Sequence, residues 1–250
     1  MGVVTATDHD TASALATAAG ELLLRVRDRS FTDATARKAA GDAEAQRFLA
    51  EQLTALRPDD AVLSEEAADD PIRLVSDRVW IIDPLDGTRE FSELDRADWA
   101  VHVALWQRGD LTAGAVALPA ERITLSTGQP PVVPARPAGP VRLAVSRSRP
   151  PALVQTLAGR LGAELVPMGS AGVKTMAVVR GTADAYVHGG GQYEWDSAAP
   201  VAVARAAGLH TSRLDGSPLR YNQADPYLPD LVVCRPELAD ELLAAIAALA

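Results

Sequence analysis

The chain has 250 residues, 48% of them hydrophobic and 23% charged, and carries a formal net charge of −9. That composition suits one globular unit or two closely packed ones, long enough to bury a core without staples. The acidic balance argues against a general pull toward nucleic acid or an anionic membrane surface, so an anionic substrate would need a local positive device such as a bound cation.

Met1 to Asp10 has no basic start and no apolar run, and does not read as a leader. Apolar residues at Leu15, Ala18, Ala19, Leu22, Leu23 and Val26 recur at helical spacing and predict a helix over Thr11–Arg29. A second helix is predicted from Ala43 to Leu56, with Asp42 as its N-cap after Gly41. Pro58-Asp59-Asp60 turns the chain into a short strand at Ala61–Leu63, and another strand, Arg78–Ile82, is expected to stop at Asp83-Pro84. Alternating runs at Ala100–Trp106, Ala113–Leu118 and Arg122–Ser126 suggest an antiparallel sheet.

Gln129 to Pro140 holds five prolines and reads as an exposed connector. It divides the chain into an α+β half, residues 1–138, and an α/β half, residues 139–250. In the second half strands at Val141–Val145, Glu164–Pro167, Ala183–Val187 and Leu231–Cys234 alternate with helices at Pro151–Leu161, Val173–Val179, Ser197–Ala207 and from Pro236 onward. Cys234, the single cysteine, lies in an apolar strand and reads as core. One cysteine makes no internal disulfide, which suits a reducing compartment, the cytoplasm. No apolar run approaches the roughly 20 residues needed to span a bilayer.

The segment Trp80-Ile81-Ile82-Asp83-Pro84-Leu85-Asp86-Gly87-Thr88 concentrates the chemistry. A buried strand delivers Asp83 at its end, the chain turns at Pro84, and Asp86 faces the same point. Gly87 clears space, and Thr88 stands where a short helix would offer backbone N–H groups to an anion. Two carboxylates forced together repel, and a hard divalent cation with oxygen ligands resolves the conflict. Glu65, Glu66 and Asp196 offer further carboxylates. On the residues alone each feature has a plainer meaning: Asp-Pro-x-Asp-Gly is a good turn, paired glutamates are ordinarily solvated, and an Asp at a helix start is ordinarily a cap.

Ser64-Glu65-Glu66, the Trp80–Thr88 segment and Trp195-Asp196-Ser197-Ala198-Ala199-Pro200, in this order, resemble the signatures of the inositol monophosphatase superfamily, lithium-sensitive and magnesium-dependent phosphatases. The resemblance implies an αβαβα layered sandwich with the site between the two halves. It implies two or three Mg2+ ions, with Glu65, Asp83, the Leu85 carbonyl, Asp86 and Asp196 as ligands. Glu65 and Thr88 would aim the attacking water, with Asp42 as the acidic partner of Thr88, and the Gly87 and Thr88 amides would hold phosphoryl oxygens. Two departures stand out: Ser64 replaces the family's glycine, and Ala39-Ala40-Gly41-Asp42 replaces its Thr-x-Ala-Asp.

Met168-Gly169-Ser170-Ala171-Gly172-Val173-Lys174 resembles the family's small-residue stretch at a helix start, which places Gly169, Ser170 and Ala171 with Asp196 at the substrate. Ser146-Arg147-Ser148-Arg149 resembles the Ser-Arg-Ser-His stretch of bacterial 3'(2'),5'-bisphosphate nucleotidases, with Arg149 in place of His. Ser146 and Lys174 are therefore substrate-binding candidates, Lys174 for a second phosphate. His188 falls where inositol-phosphate enzymes carry a sugar-binding glutamate. The chain looks most like the actinobacterial CysQ-type nucleotidases. That implies hydrolysis of 3'-phosphoadenosine 5'-phosphate (PAP) to AMP, clearing a product of sulfate assimilation. Inositol-1-phosphate and fructose-1,6-bisphosphate are the alternative substrates. The implied partner is a small phosphorylated metabolite, and family members are often homodimers. Ser146–Arg149 and Lys174 also read as solvated positions, His188 as a loop residue, and Arg220–Gln223 as either site lining or fold closure.

Overall fold

The structure, a computed structural model, describes residues 6–249. The start read for Met1 to Asp10 lies partly outside them, as does the last residue, Ala250, of the helix expected from Pro236 onward. Helix α1 (Asp8–Arg27) opens on a capping box between Thr7 and Asp10, and buries Ala12, Leu15, Ala16, Ala19, Leu23 and Val26. Helix α2 (Ala34–Leu56) starts nine residues before the expected Ala43, capped by Asp33, which accepts from the Ala36 N–H at 2.8 Å. Asp42 is thus not an N-cap: it stands inside the helix. Gly41 is no helix boundary either. A Cβ there would lie 2.7 Å from Phe91 Cε1 and 2.9 Å from Leu85 Cδ2, so the residue is small because α2 crosses close over the site's turn.

The first sheet runs β1 (Ala61–Ser64), β2 (Arg78–Asp86), β3 (Ala100–Gln107), β4 (Asp110–Leu118) and β5 (Ile123–Ser126), in sequence order. β1 and β2 are parallel and the other pairs antiparallel. β2 does not stop at Pro84. Its register with β3 passes from Asp83↔His102 to Asp86↔Ala100, so Pro84 and Leu85 together face Val101. This is a bulge, which tolerates the proline and re-aims the strand. After it, Gly87 leads into the short helix α3 (Thr88–Ser92).

The second sheet has the order β7–β6–β8–β10–β9. Strands β6 (Arg142–Ser146), β7 (Glu164–Met168) and β8 (Ala185–Tyr193) are parallel, while β10 (Tyr227–Cys234) and β9 (His210–Ser212) are antiparallel additions. β9 carries no three-residue signal in the sequence. β8 runs on through Gly189–Gly191, so His188 is a strand residue rather than a loop residue. The helices are α4 (Ala152–Leu161), α5 (Ala171–Val179), α6 (Glu194–Ala206) and α7 (Ala239–Ala247).

Side-chain alternation along the strands builds the layers. Trp80, Ile82, Val101, Val103 and Leu105 face α1 and α2. Val79, Ile81, Ala100, Ala104 and Val116 face the middle layer, which holds α5 and α6. Across that layer, Ala144, Tyr186, Leu231 and Val233 come from the second sheet, whose other face packs Leu143, Val145, Val187, Val232 and Cys234 on α4 and α7. The order is therefore α, β, α, β, α, the sandwich expected. The first sheet ends before Gln129 and the second begins after Pro140. Arg136 of the connector and Arg142 and Arg235 of the second half surround buried Asp184, at 3.5, 2.8 and 3.1 Å. No described helix is long and apolar enough to cross a membrane.

Candidate active site

The bulge in β2 turns two carboxylates toward the middle layer. Asp83 is 1% exposed, and its Oδ1 accepts the Leu85 N–H at 3.0 Å. With two residues opposite one, the peptides at Pro84 and Leu85 are not both committed to the ladder, the setting in which the Leu85 carbonyl would serve as a ligand. Asp86 is 7% exposed and meets the N-terminus of α5. Its Oδ2 accepts from Ser170 Oγ at 2.5 Å and from the Gly172 N–H at 2.6 Å, and its Oδ1 from the Ala171 N–H at 3.1 Å. Ser170 caps α5 with φ at +50°, a strained backbone for a residue with a side chain. Asp196 arrives from the first turn of α6. Ligand oxygens of Asp83, Asp86 and Asp196 lie within 4.8 Å of one another.

One residue of the site, His102, escaped the sequence reading, and Arg147 of the Ser146–Arg149 stretch takes an unexpected part. His102 is fully buried on β3, with Nε2 3.2 Å from Asp86 Oδ2. Its Nδ1 bonds the Trp195 carbonyl at 3.1 Å. Only the register of β3 places it there, and an isolated His in an apolar strand gives no sign of that. Arg147 spans Glu90 of α3, at 2.7 Å, and Glu93, at 2.8 Å, so it braces the Gly87–Thr88 turn against β6 rather than facing substrate.

The carboxylates differ electrostatically. Burial opposes the ionisation of Asp86, but His102, Ser170 and the Gly172 amide outweigh it and hold the group at about 2. Burial, then Asp86 and Glu65, push Asp83 well above the usual carboxylate range. Glu65 follows β1 at the rim, and burial of its carboxyl with Asp196 and Asp86 nearby pushes it up to about 7. Burial and Asp86 raise Asp196 to about 6. A crowd of oxygen donors that retains protons for want of a counter-charge is the donor set of a hard divalent cation, and the residues fit one.

This crowding makes the stability pH-dependent. Folded pKa values above those of the unfolded chain give stability that is complete below about pH 4 and is lost as pH climbs through 6 and 7. A divalent cation restores it, and most where protons compete least. The rise in Tm caused by saturating Mg2+ is expected to be larger at pH 8 than at pH 6. An equal rise at both would count against the carboxylate cluster as the binding site.

Thr88 is the first residue of α3, half-buried beside the cluster. Among the described residues no hydrogen bond joins it to Asp42. Burial, then Glu66, pushes the Asp42 carboxyl up to about 7, and its neighbour Gly41 touches Leu85 and Phe91. Ser64 closes a gap of its own: its hydroxyl donates to Gln46 on α2 at 2.7 Å.

Beside the acids opens a cavity of about 730 Å³. Asp86 and Asp196 line it, with Ser146, Ser170, Ala171, Lys174, Tyr186, His188 and Arg149 also on its walls. Gly169 stands just outside that lining, where a Cβ would meet Glu90 Cδ at 2.3 Å and its N–H bonds Asp98. Lys174 is buried, not a surface helix residue. Its Nζ donates to the Ser170 carbonyl at 2.7 Å, lies 3.4 Å from that of Gly169, and sits 5.2 Å from the centre of the Tyr186 ring. Burial lowers its pKa, with Asp86 and Glu90 pulling the other way. Of the Arg220–Gln223 segment, Tyr221, Asn222 and Gln223 close the fold: Tyr221 bonds Ser197, and the Asn222 and Gln223 amides bond Glu194.

Known proteins are similar in sequence and fold. The chain is 56% identical over 241 residues to the 3'-phosphoadenosine 5'-phosphate phosphatase of Mycobacterium tuberculosis, covering 92% of this chain and 89% of that protein. It is 31% identical to the 3'(2'),5'-bisphosphate nucleotidase CysQ of Escherichia coli, over 88% of this chain and 96% of that protein. Among solved structures, CysQ from Bacteroides thetaiotaomicron superposes with a TM-score of 0.77 at 27% identity, covering 90% of this chain and 96% of that chain. SuhB of Mycobacterium tuberculosis superposes with a TM-score of 0.74 at 26% identity, over 96% and 95%. Residues 6–249 match the inositol monophosphatase family along their whole length. With that match, the identity to its nucleotidase members and the acidic cluster at the end of β2, the chain belongs to the inositol monophosphatase family, whose members are metal-dependent phosphatases.

Proposed function

We propose that this protein is a magnesium-dependent phosphomonoesterase that hydrolyses PAP to AMP and inorganic phosphate in the cytoplasm. The observation that carries the reading is the mixed charge of the cavity. Carboxylates of Asp86 and Asp196 line the same space as the basic groups Lys174, Arg149 and His188. A substrate with two phosphates suits such a cavity: one phosphate goes to the carboxylates with their cations, the other to the basic groups. The activity of the mycobacterial relative supports the same substrate, and that of the enterobacterial relative the same bisphosphate class.

Glu65, Asp83, the Leu85 carbonyl, Asp86 and Asp196 would hold two or three Mg2+ ions, which would supply positive charge at the phosphoryl oxygens and acidify a water. The chain's own groups then position the reaction. Glu65 and the Thr88 hydroxyl orient the water in line with the P–O bond, and Asp42 sets the electrostatics beside them. The Gly87 and Thr88 amides receive charge on the phosphoryl oxygens. Ser146, Ser170 and Ala171 shape the wall against which the nucleoside lies, and Gly169 backs it from outside the lining. Water's oxygen joins phosphorus, the ester P–O bond breaks, and the 3'-oxygen leaves with a proton.

Lys174 separates a bisphosphate from a monophosphate substrate. Its ammonium has three hydrogens, and the Ser170 and Gly169 carbonyls engage two. Lys174→Met is expected to lower kcat/KM for PAP by about 10–100-fold, the loss of a hydrogen bond to a charged group. Turnover of inositol-1-phosphate should fall far less. Phosphate release from both substrates, with fructose-1,6-bisphosphate as a third, measures this. Equal losses on all three would make Lys174 a brace for the Gly169–Ser170 turn. A wild-type preference for either sugar phosphate would overturn the nucleotidase.

A further inference from the structure

His102 sits where the three clustered carboxylates meet, although it is not itself an acid. On β3 it is the direct cross-strand partner of Asp83. Its Nε2 lies 3.2 Å from Asp86 Oδ2, and its Nδ1 bonds the carbonyl of Trp195, the residue before Asp196. One fully buried ring thus touches the end of β2 and the first turn of α6 together. These two elements are far apart in sequence, and each brings a carboxylate to the cluster.

The contacts are unevenly shared between the two oxygens of Asp86. Oδ2 meets Ser170 Oγ, the Gly172 N–H and His102 Nε2, whereas Oδ1 meets only the Ala171 N–H. Oδ2 is filled and Oδ1 keeps lone-pair capacity. The packing enforces this: a Cβ on Gly172 would lie 2.0 Å from His102 Nε2, so the glycine admits the ring, and the ring cannot swing toward α5.

We propose that His102 is a positioning residue for the metal centre. It locks the rotamer of Asp86, leaving Oδ1 for the ion, and fixes the distance between Asp86 and Asp196 through the Trp195 carbonyl. Removing such a partner behind a ligand costs about 10–100-fold in metal affinity. The inference rests on the metal-binding reading above.

Titration of the purified full chain with Mn2+, followed by electron paramagnetic resonance of the free ion, tests it without turnover. His102→Leu keeps the volume and loses both contacts, and should weaken Mn2+ binding by about 10–100-fold. His102→Gln returns an N–H at the Nε2 position and His102→Asn one at Nδ1, so each should recover part of that loss. Should His102→Leu not fold, the Gln and Asn variants still decide the matter, since each is expected to bind more weakly than wild type and the two to differ. Wild-type affinity in the Leu variant, or in both amide variants, overturns the proposal. No rescue by either amide also overturns it, because loss of packing alone would then explain the effect. Wild-type protein that binds no Mn2+ would instead remove the metal-binding reading on which the proposal stands.

Discussion

Replacing Asp83 with Asn is expected to reduce phosphate release by roughly 1,000-fold or more, since it removes several kcal/mol of cation-mediated charge stabilisation at the reacting phosphorus. The fold should survive. An Asn Oδ1 still accepts the Leu85 N–H that Asp83 accepts at 3.0 Å. Stability should move the other way from activity. Burial, Asp86 and Glu65 all oppose a charge at Asp83, so without magnesium at pH 8 the variant should melt no lower than wild type, while losing most of the stabilisation magnesium gives. That opposition, an active site held at the expense of stability, is read by thermal denaturation with and without Mg2+ beside an activity assay. Near-normal turnover at saturating Mg2+ would remove Asp83 from the metal site. A large drop in Tm without metal would mean that Asp83 is chiefly structural.

Gly172→Ala should produce the second large effect, through sterics rather than charge. The new methyl would sit 2.0 Å from His102 Nε2, far inside contact distance. The Gly172 N–H is also bonded to Asp86 at 2.6 Å, so the first turn of α5 cannot retreat without releasing that carboxylate. Overpacking of this kind costs about 1–3 kcal/mol, and a displacement near 1 Å in a catalytic group costs about 100-fold in rate. A double variant separates the causes. Adding His102→Ala makes room for the methyl and should return much of the lost Tm but not the activity, a coupling that distant sites would not show. Gly172→Ala with wild-type Tm and turnover would refute the close approach.

The acidic motif was legible because it is local. Asp83, Pro84, Asp86, Gly87 and Thr88 fall within six residues, and their spacing alone brings two carboxylates to one turn. The five-layer order followed the same way once the motifs pointed to the family, and the apolar runs that become β2, β3 and β4 are plain in the sequence. Element boundaries fared worse where a residue's ordinary meaning was overridden. Gly41-Asp42 signals a helix start, yet Gly41 is small because Leu85 and Phe91 press on it inside a longer helix. Pro84 signals a strand end, yet a bulge lets β2 continue to Asp86.

The sequence by itself determined where the acidic residues concentrate: carboxylates within one short segment, glycines beside them, and an acidic composition that calls for a cation before any phosphate. Only the tertiary structure decided which groups stand beside them. His102 enters through the register of β3, Lys174 is buried by the packing of α5 under Tyr186, and Asp184 gathers three arginines from distant segments. The physical reason is range. Turn chemistry and side-chain periodicity act over a few residues, whereas desolvation and charge pairing depend on neighbours that the chain brings together only when its layers close.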